Sequence, residues 1–300
     1  MRRVIGNNWI PAVVFAMTMT LTGCGSEHSP SGDAPTTSSK AVDVDAAFAQ
    51  YLKAVTPFWC SNAYFDIGDM ADAGNVDTMK LRVHEYRGVM TTWDDNLGRI
   101  AVPPAAQPIV DKLRELNAAE MADLDALAGV VDEKDKNRLL GLVYFDDALV
   151  GVEADRLSAA LGHPEPRGRI ASDQLEVAYQ TFYKDIAPVY EMFEAALSRN
   201  DLNGAKAANA VEEDALQRYI NRLGAIEWPP RFEGQVNVLR DNLRKVIEFD
   251  RRQVDVATTA QVVRAPDEGL PEAQFADQVK DSLQTGLLKL AAESNPPLKC

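Results

Sequence analysis

The stretch LGRIAVPPAAQPIVDKLR, residues 97–114, recurs as LGAIEWPPRFEGQVNVLR at residues 223–240. The offset is 126 throughout, and eight of the eighteen positions are identical. Each copy reads as a corner between helices. An apolar run ends at Leu-Gly, a proline pair forbids continuation, and a new amphipathic run starts just after. Proline is tolerated in the first turn of a helix and breaks its interior. A whole corner written twice predicts that the flanking helices are repeated as well.

Working outward, Met79, Val83, Tyr86, Met90, Trp93, Leu97 and Ile100 precede the first corner. Their steps of three and four mark one face of a helix packed against neighbours, over 77–100. Leu216, Tyr219, Leu223 and Ile226 precede the second corner in the same way, within a helix over 202–226. After the corners come Leu113, Leu116, Leu124, Leu127 and Val131 in one copy. Val236, Leu239, Leu243, Val246 and Val254 follow in the other. A first helix is expected from Asp43 to Ala73, kinked at Pro57. Asp132 signals the start of a fourth, carrying Leu139, Leu142, Leu149, Leu157 and Leu161. The segment GHPEPRGRIA, residues 162–171, separates the halves. Ser172 is expected to cap a fifth helix through Arg199, with Pro188 inside it. A last helix covers 272–293. No stretch shows sustained strand alternation. The fold class is therefore all-α, a duplicated up-and-down bundle of two related four-helix halves, 42–162 and 163–300.

The N-terminus carries a different signal. Arg2 and Arg3 precede an apolar run, Trp9 to Met19, and then Leu21-Thr22-Gly23-Cys24. A basic start and a short apolar stretch make a secretory signal, here residues 1–23. Its end is similar to the lipobox of bacterial lipoproteins. That resemblance implies cleavage before Cys24, diacylglyceryl and palmitate-type acyl chains on that cysteine, and a place on the extracytoplasmic face of the cell membrane. Two chains anchor stably where one does not. Residues 24–41 are Ser, Thr, Pro and Gly with almost no bulky apolar side chain, and read as a flexible tether. Its reach is roughly 20–25 Å.

The formal charge of the 300-residue chain is −14, and removing Met1 to Gly23 takes away Arg2 and Arg3 and no acid, leaving −16. Such a body is repelled by nucleic acid, which excludes DNA or RNA as a partner. The expected partners are the membrane through the lipid, and an envelope protein or small ligand. Cys60 and Cys300 remain once Cys24 is lipidated, and an oxidising compartment invites a disulfide between them. A reduced Cys60 in the core with a frayed tail is the other reading.

Catalytic sets are sparse. Of the three histidines, His28 lies in the tether, His163 in the mid-chain loop and His84 on a helix. His84-Glu85 begins like H-E-x-x-H, but Gly88 stands where the second histidine belongs. There is no G-x-S-x-G, no phosphate-cradling glycine loop and no C-x-x-C. The sequence points away from an enzyme and calls for no cofactor. Asp66, Asp69 and Asp72, and the doublets Asp94-Asp95 and Asp146-Asp147, are oxygen-rich groups that could take a hard cation. Their simpler reading is solvated helix faces. Asp250 stands in an apolar seam between Val246 and Val254, beside Arg251 and Arg252, and reads as half of a structural ion pair. The aromatics Phe58, Trp59, Tyr64 and Phe65, and Tyr179, Phe182, Tyr183 and Tyr190, read as core.

A lipid-anchored, duplicated helical bundle resembles the imelysin-like proteins of bacterial envelopes in architecture alone. Their G-x-H-x-x-E motif has no counterpart, since no H-x-x-E occurs in the chain. No residue roles carry over. The Arg-over-Lys, Ala/Val/Asp-rich composition resembles uncharacterised actinobacterial envelope lipoproteins. The expectation is a non-enzymatic binding protein of the envelope, with metal or small-ligand capture as the alternative.

Overall fold

The computed structural model describes residues 42–61, 63–131, 133–253, 256–259 and 271–294. The stretches read as signal segment and tether, with Cys24, and Cys300 lie outside the described residues. The helices are α1 (Val44–Trp59), α2 (Ala63–Asp72), α3 (Val76–Leu97), α4 (Gln107–Ala128), α5 (Glu133–Ala160), α6 (Arg167–Ser198), α7 (Leu202–Ala225), α8 (Glu233–Arg252) and α9 (Pro271–Ser294). No strand occurs among the described residues, and no described helix is long and apolar enough to cross a membrane. The protein is an all-α bundle.

From α2 to α9 consecutive helices pack on one another, α1 packs on α3, and α6 also packs on α9. The apolar core divides at the loop after α5. One cluster runs from Ala47 to Leu161. The others run from Ala171 to Leu287 and from Ile186 to Ala215. Gly162 ends α5 at φ +80°, a conformation open to glycine and strained for other residues. α6 and α9 approach so closely that a Cβ on Gly168 would meet the Leu287 carbonyl at 2.7 Å.

The 126-residue spacing reappears in the helix boundaries. α3 starts at 76 and α7 at 202, while α4 starts at 107 and α8 at 233. The caps correspond too. Asn75 Oδ1 accepts from the Thr78 N–H at 3.2 Å, and Asp201 Oδ1 from the Gly204 N–H at 2.9 Å. Each satisfies an amide that the first helical turn leaves open. The Leu-Gly and Arg of each corner have a shared use. The Arg114 guanidinium lies 3.3 Å from where a Gly98 Cβ would stand, and that of Arg240 lies 3.5 Å from the same point on Gly224.

Three expected boundaries move. The single first helix is two, α1 and α2, with the break at Cys60-Ser61 just after Pro57. Pro57 leaves the Lys53 carbonyl without its ladder donor, and α1 runs on only as far as the Cys60 N–H, which closes on the Thr56 carbonyl at 2.9 Å. α3 stops at Leu97 rather than Ile100, where the Gly98 N–H closes on Asp94 at 3.1 Å. α6 begins at Arg167, not at Ser172. Pro166 supplies the N-cap at φ −57°, and the Arg169 N–H donates back to its carbonyl at 2.8 Å. Ser172 is buried inside the helix, where its Oγ accepts from Gln284 Nε2 on α9 at 3.1 Å.

Candidate functional site

The polar interior of the bundle gathers where α2, α3, α4, α5 and α6 meet. Residues three and four apart share a helix face. On α5 that rule aligns Tyr144, Asp147, Gly151, Asp155 and Ser158. On α6 it aligns Arg169, Asp173 and Glu176. The two rows face each other, and a Cβ on Gly151 would stand 3.3 Å from Asp173 Oδ2. α4 adds Asn117 and Glu120, both fully buried.

The Tyr86 hydroxyl on α3 donates to Asp147 Oδ1 at 2.9 Å. Tyr64 packs against Tyr86 at 5.4 Å between ring centroids and edge-on to Tyr144 at 5.6 Å. Phe58 stacks on Trp93 at 4.4 Å and closes the apolar side. No hydrogen bond of ordinary geometry reaches either oxygen of Glu120 or Asp155 Oδ2, though the Tyr86 hydroxyl bears on Glu120 and the Asp173 carboxyl on Asp155. Arg169 Nε donates to Asp173 Oδ2 at 3.0 Å, and Gln180 Nε2 to Glu176 Oε1 at 2.6 Å. Tyr51 on α1 donates to the Ala154 carbonyl at 3.3 Å and joins the same wall.

The environment favours neutral carboxyls. Burial first, then the Asp147 charge, pushes Glu120 well above the ordinary carboxyl range. Burial lifts Asp147 to about 6, although the Tyr86 and Tyr64 hydroxyls favour its charged form. Burial and then Asp173 raise Asp155 to about 8. Asp146, nearer the surface, is lifted to about 6 by burial and by Asp123. Tyr64 and Tyr86 are pushed far up by burial and stay protonated.

This constellation can hold protons and hydrogen bonds. Among the described residues, no group of three or more His, Cys, Asp or Glu side chains is arranged to hold a metal ion. A shallow dent of about 410 Å³ lies elsewhere, between Phe232 and the Asp281–Lys289 side of α9, away from the buried acids.

The residues singled out from the sequence fall as follows. Cys24 and Cys300 lie outside the described residues, as does His28. Cys60 follows α1 directly and is disulfide-bonded. His84 is exposed. His163 stacks on Phe48 at 3.8 Å, with its Nε2 3.5 Å from Asp45 Oδ1. Asp66 pairs with Arg82 at 3.2 Å, and Asp69 and Asp72 are exposed, so the three make a solvated face. Asp94 takes both arms of Arg114 at 3.2 and 3.0 Å, and Asp95 is exposed. The doublet Asp146-Asp147 is not a solvated face. Asp147 lies about 100° around α5 from Asp146, which turns it into the polar interior, where it accepts from the Tyr86 hydroxyl. Asp250 is buried in the α8 seam, while Arg251 sends its fork to Glu213 Oε1 on α7. Phe182 stacks on Tyr219 at 5.0 Å, Tyr179 is buried and Tyr190 packs against the core, as Phe58 and Tyr64 do, but Tyr183 is exposed and is not core. The side chains of Trp59 and Phe65 lie outside those described.

Glu120, Asp155, Arg169, Asp173 and Glu176 were not singled out. Glu120 had a readable signal. It stands between Leu116 and Leu124 in an apolar stripe, the same anomaly that marks Asp250.

No family model matches the chain, and neither a curated protein nor a solved structure matches it.

Proposed function

We propose that the protein is a lipoprotein of a bacterial cell envelope, held through lipid on Cys24, whose helical body acts by binding and not by catalysis. The observation that carries the reading is Leu21-Thr22-Gly23-Cys24 at the end of a short apolar run behind Arg2-Arg3. The Ser/Thr/Pro-rich tether then sets the body off the membrane surface. The 126-residue spacing of corners, caps and helix starts supports descent of the body from a doubled helical unit.

Fractionation of cells expressing the full chain tests the anchor. The wild type should stay with membranes through a carbonate wash, and Cys24→Ser should leave with the soluble fraction. A Cys24→Ser protein that stays in the membrane pellet overturns the reading.

A further inference from the structure

The halves meet at α5 and α6, and that seam is crowded with carboxyls. α5 brings Asp147 and Asp155, α6 brings Asp173 and Glu176, and the connecting loop brings Glu165. α4 adds Glu120 from behind. The cation among them is Arg169, bonded to Asp173 at 3.0 Å. The other charged groups nearby are engaged elsewhere. Lys184 on α6 acts on the outer pair Asp123 and Asp146 and sits 4.4 Å over the Phe145 ring. Lys280 on α9 lies 4.2 Å over the Tyr179 ring and 3.0 Å from Asp281. The phenols facing the acids, Tyr51 on α1, Tyr64 on α2 and Tyr86 on α3, are all pushed up by burial and bring no charge.

Carboxyls packed at this density need protons or a cation between them. No described trio of ligating side chains suits a metal. Glu120 and Asp155 are almost wholly buried, and no hydrogen bond of ordinary geometry reaches three of their oxygens. An ionised oxygen there would bear the desolvation cost of a buried charge, and a protonated carboxyl would not.

We propose that the α5–α6 seam is a proton-operated clasp, in which the halves pack tightly while Glu120, Asp147 and Asp155 are protonated and loosen when they ionise. The direction of the pH effect follows from linkage. In the unfolded chain these groups ionise near pH 4. In the folded chain Asp147 ionises at about 6 and Asp155 at about 8. The folded state therefore binds more protons across that window, and stability falls as pH rises from about 4 to about 8. Carboxylates held low by arginine would give the opposite slope.

The test is the melting temperature of the full chain in detergent, followed by circular dichroism from about pH 5 to about pH 9. The wild type should lose about 5 °C or more over that range. Asp155→Asn and Glu120→Gln keep the shape of the neutral acid. Each should flatten the slope and melt above the wild type at about pH 8. Infrared spectra of the wild type provide a measurement that needs no variant to fold. A protonated-carboxyl band present at about pH 7 and lost at about pH 9 supports the clasp. A melting temperature that is flat or rises with pH, or no such band at about pH 7, overturns it.

Discussion

The halves share their frame and differ in their interiors. Near each proline corner both are apolar, with Trp93, Leu97, Val110 and Leu113 in one and Tyr219, Leu223, Val236 and Leu239 in the other. Some eleven or more residues from the corner, roughly 15–25 Å along the helices, both become polar. Apart from the position that Tyr86 and Glu212 share, the polar residues do not correspond. In the first half they are Tyr86, Asn117 and Glu120, and in the second Asn209, Glu212, Asn242 and Asp250. At the 126-residue spacing, Tyr86 stands against Glu212, Glu120 against Val246, and Leu124 against Asp250. Helix ends and corner geometry match between the halves, and what fills the far end differs. A frame can be held by a few caps and close contacts, while a polar interior has to satisfy its own local hydrogen bonds.

Three sets of paired substitutions sharpen or break this comparison. The largest effect belongs to the shared apolar layer. Leu97→Ala and Leu223→Ala remove side chains that are 0% exposed. Each should cost about 2–5 kcal/mol in denaturant unfolding. A large cost in one half and none in the other would deny that the layers are equivalent. The caps come next. Asn75→Ala and Asp201→Ala each remove one side-chain bond to an open helix amide. Each should cost about 1 kcal/mol, with faster amide exchange confined to the first turn of α3 or α7.

The smallest effect falls at the corners, where the halves part ways. Arg114 has both arms on Asp94, and the position equivalent to Asp94 is Ile220. Arg240 keeps its place beside Gly224, but its Nε is buried without a partner. Arg114→Met should cost up to about 1 kcal/mol, since the pair is half exposed. Arg240→Met should be neutral or stabilising, because it removes an unsatisfied buried donor and keeps an apolar stem. Equal losses at both corners would show that the two arginines act through packing alone.

The frame was legible because its signals are local. Pro103-Pro104, Pro229-Pro230, the seam from Met79 to Leu97 and the repeated Leu-Gly are readable from neighbours in the chain. The split between α1 and α2 was half legible, since Pro57 marks strain without showing where the ladder fails. The start of α6 was misread, because Ser172 looks like a cap and Pro166, three residues after His163, acts as one. The polar interior was mostly hidden for a physical reason. α5 and α6 are packed on more than one side, so Asp147, Asp155, Asp173 and Glu176 do not interrupt a single apolar stripe as Glu120 and Asp250 do. Their meeting depends on how α5 crosses α6, which no local pattern encodes.

The cysteines decide the account as a whole. The chain has three, Cys60 is disulfide-bonded, and the proposed partner is Cys300. A sulfur in a disulfide cannot also carry a diacylglyceryl group. Non-reducing peptide mapping by mass spectrometry of the protein taken from membranes reads both fates at once. The account predicts an N-terminal peptide that begins at lipid-modified Cys24, and a cross-linked peptide joining Cys60 to Cys300. A Cys24–Cys60 cross-link, or an unmodified Cys24 within an uncleaved N-terminus, would contradict it.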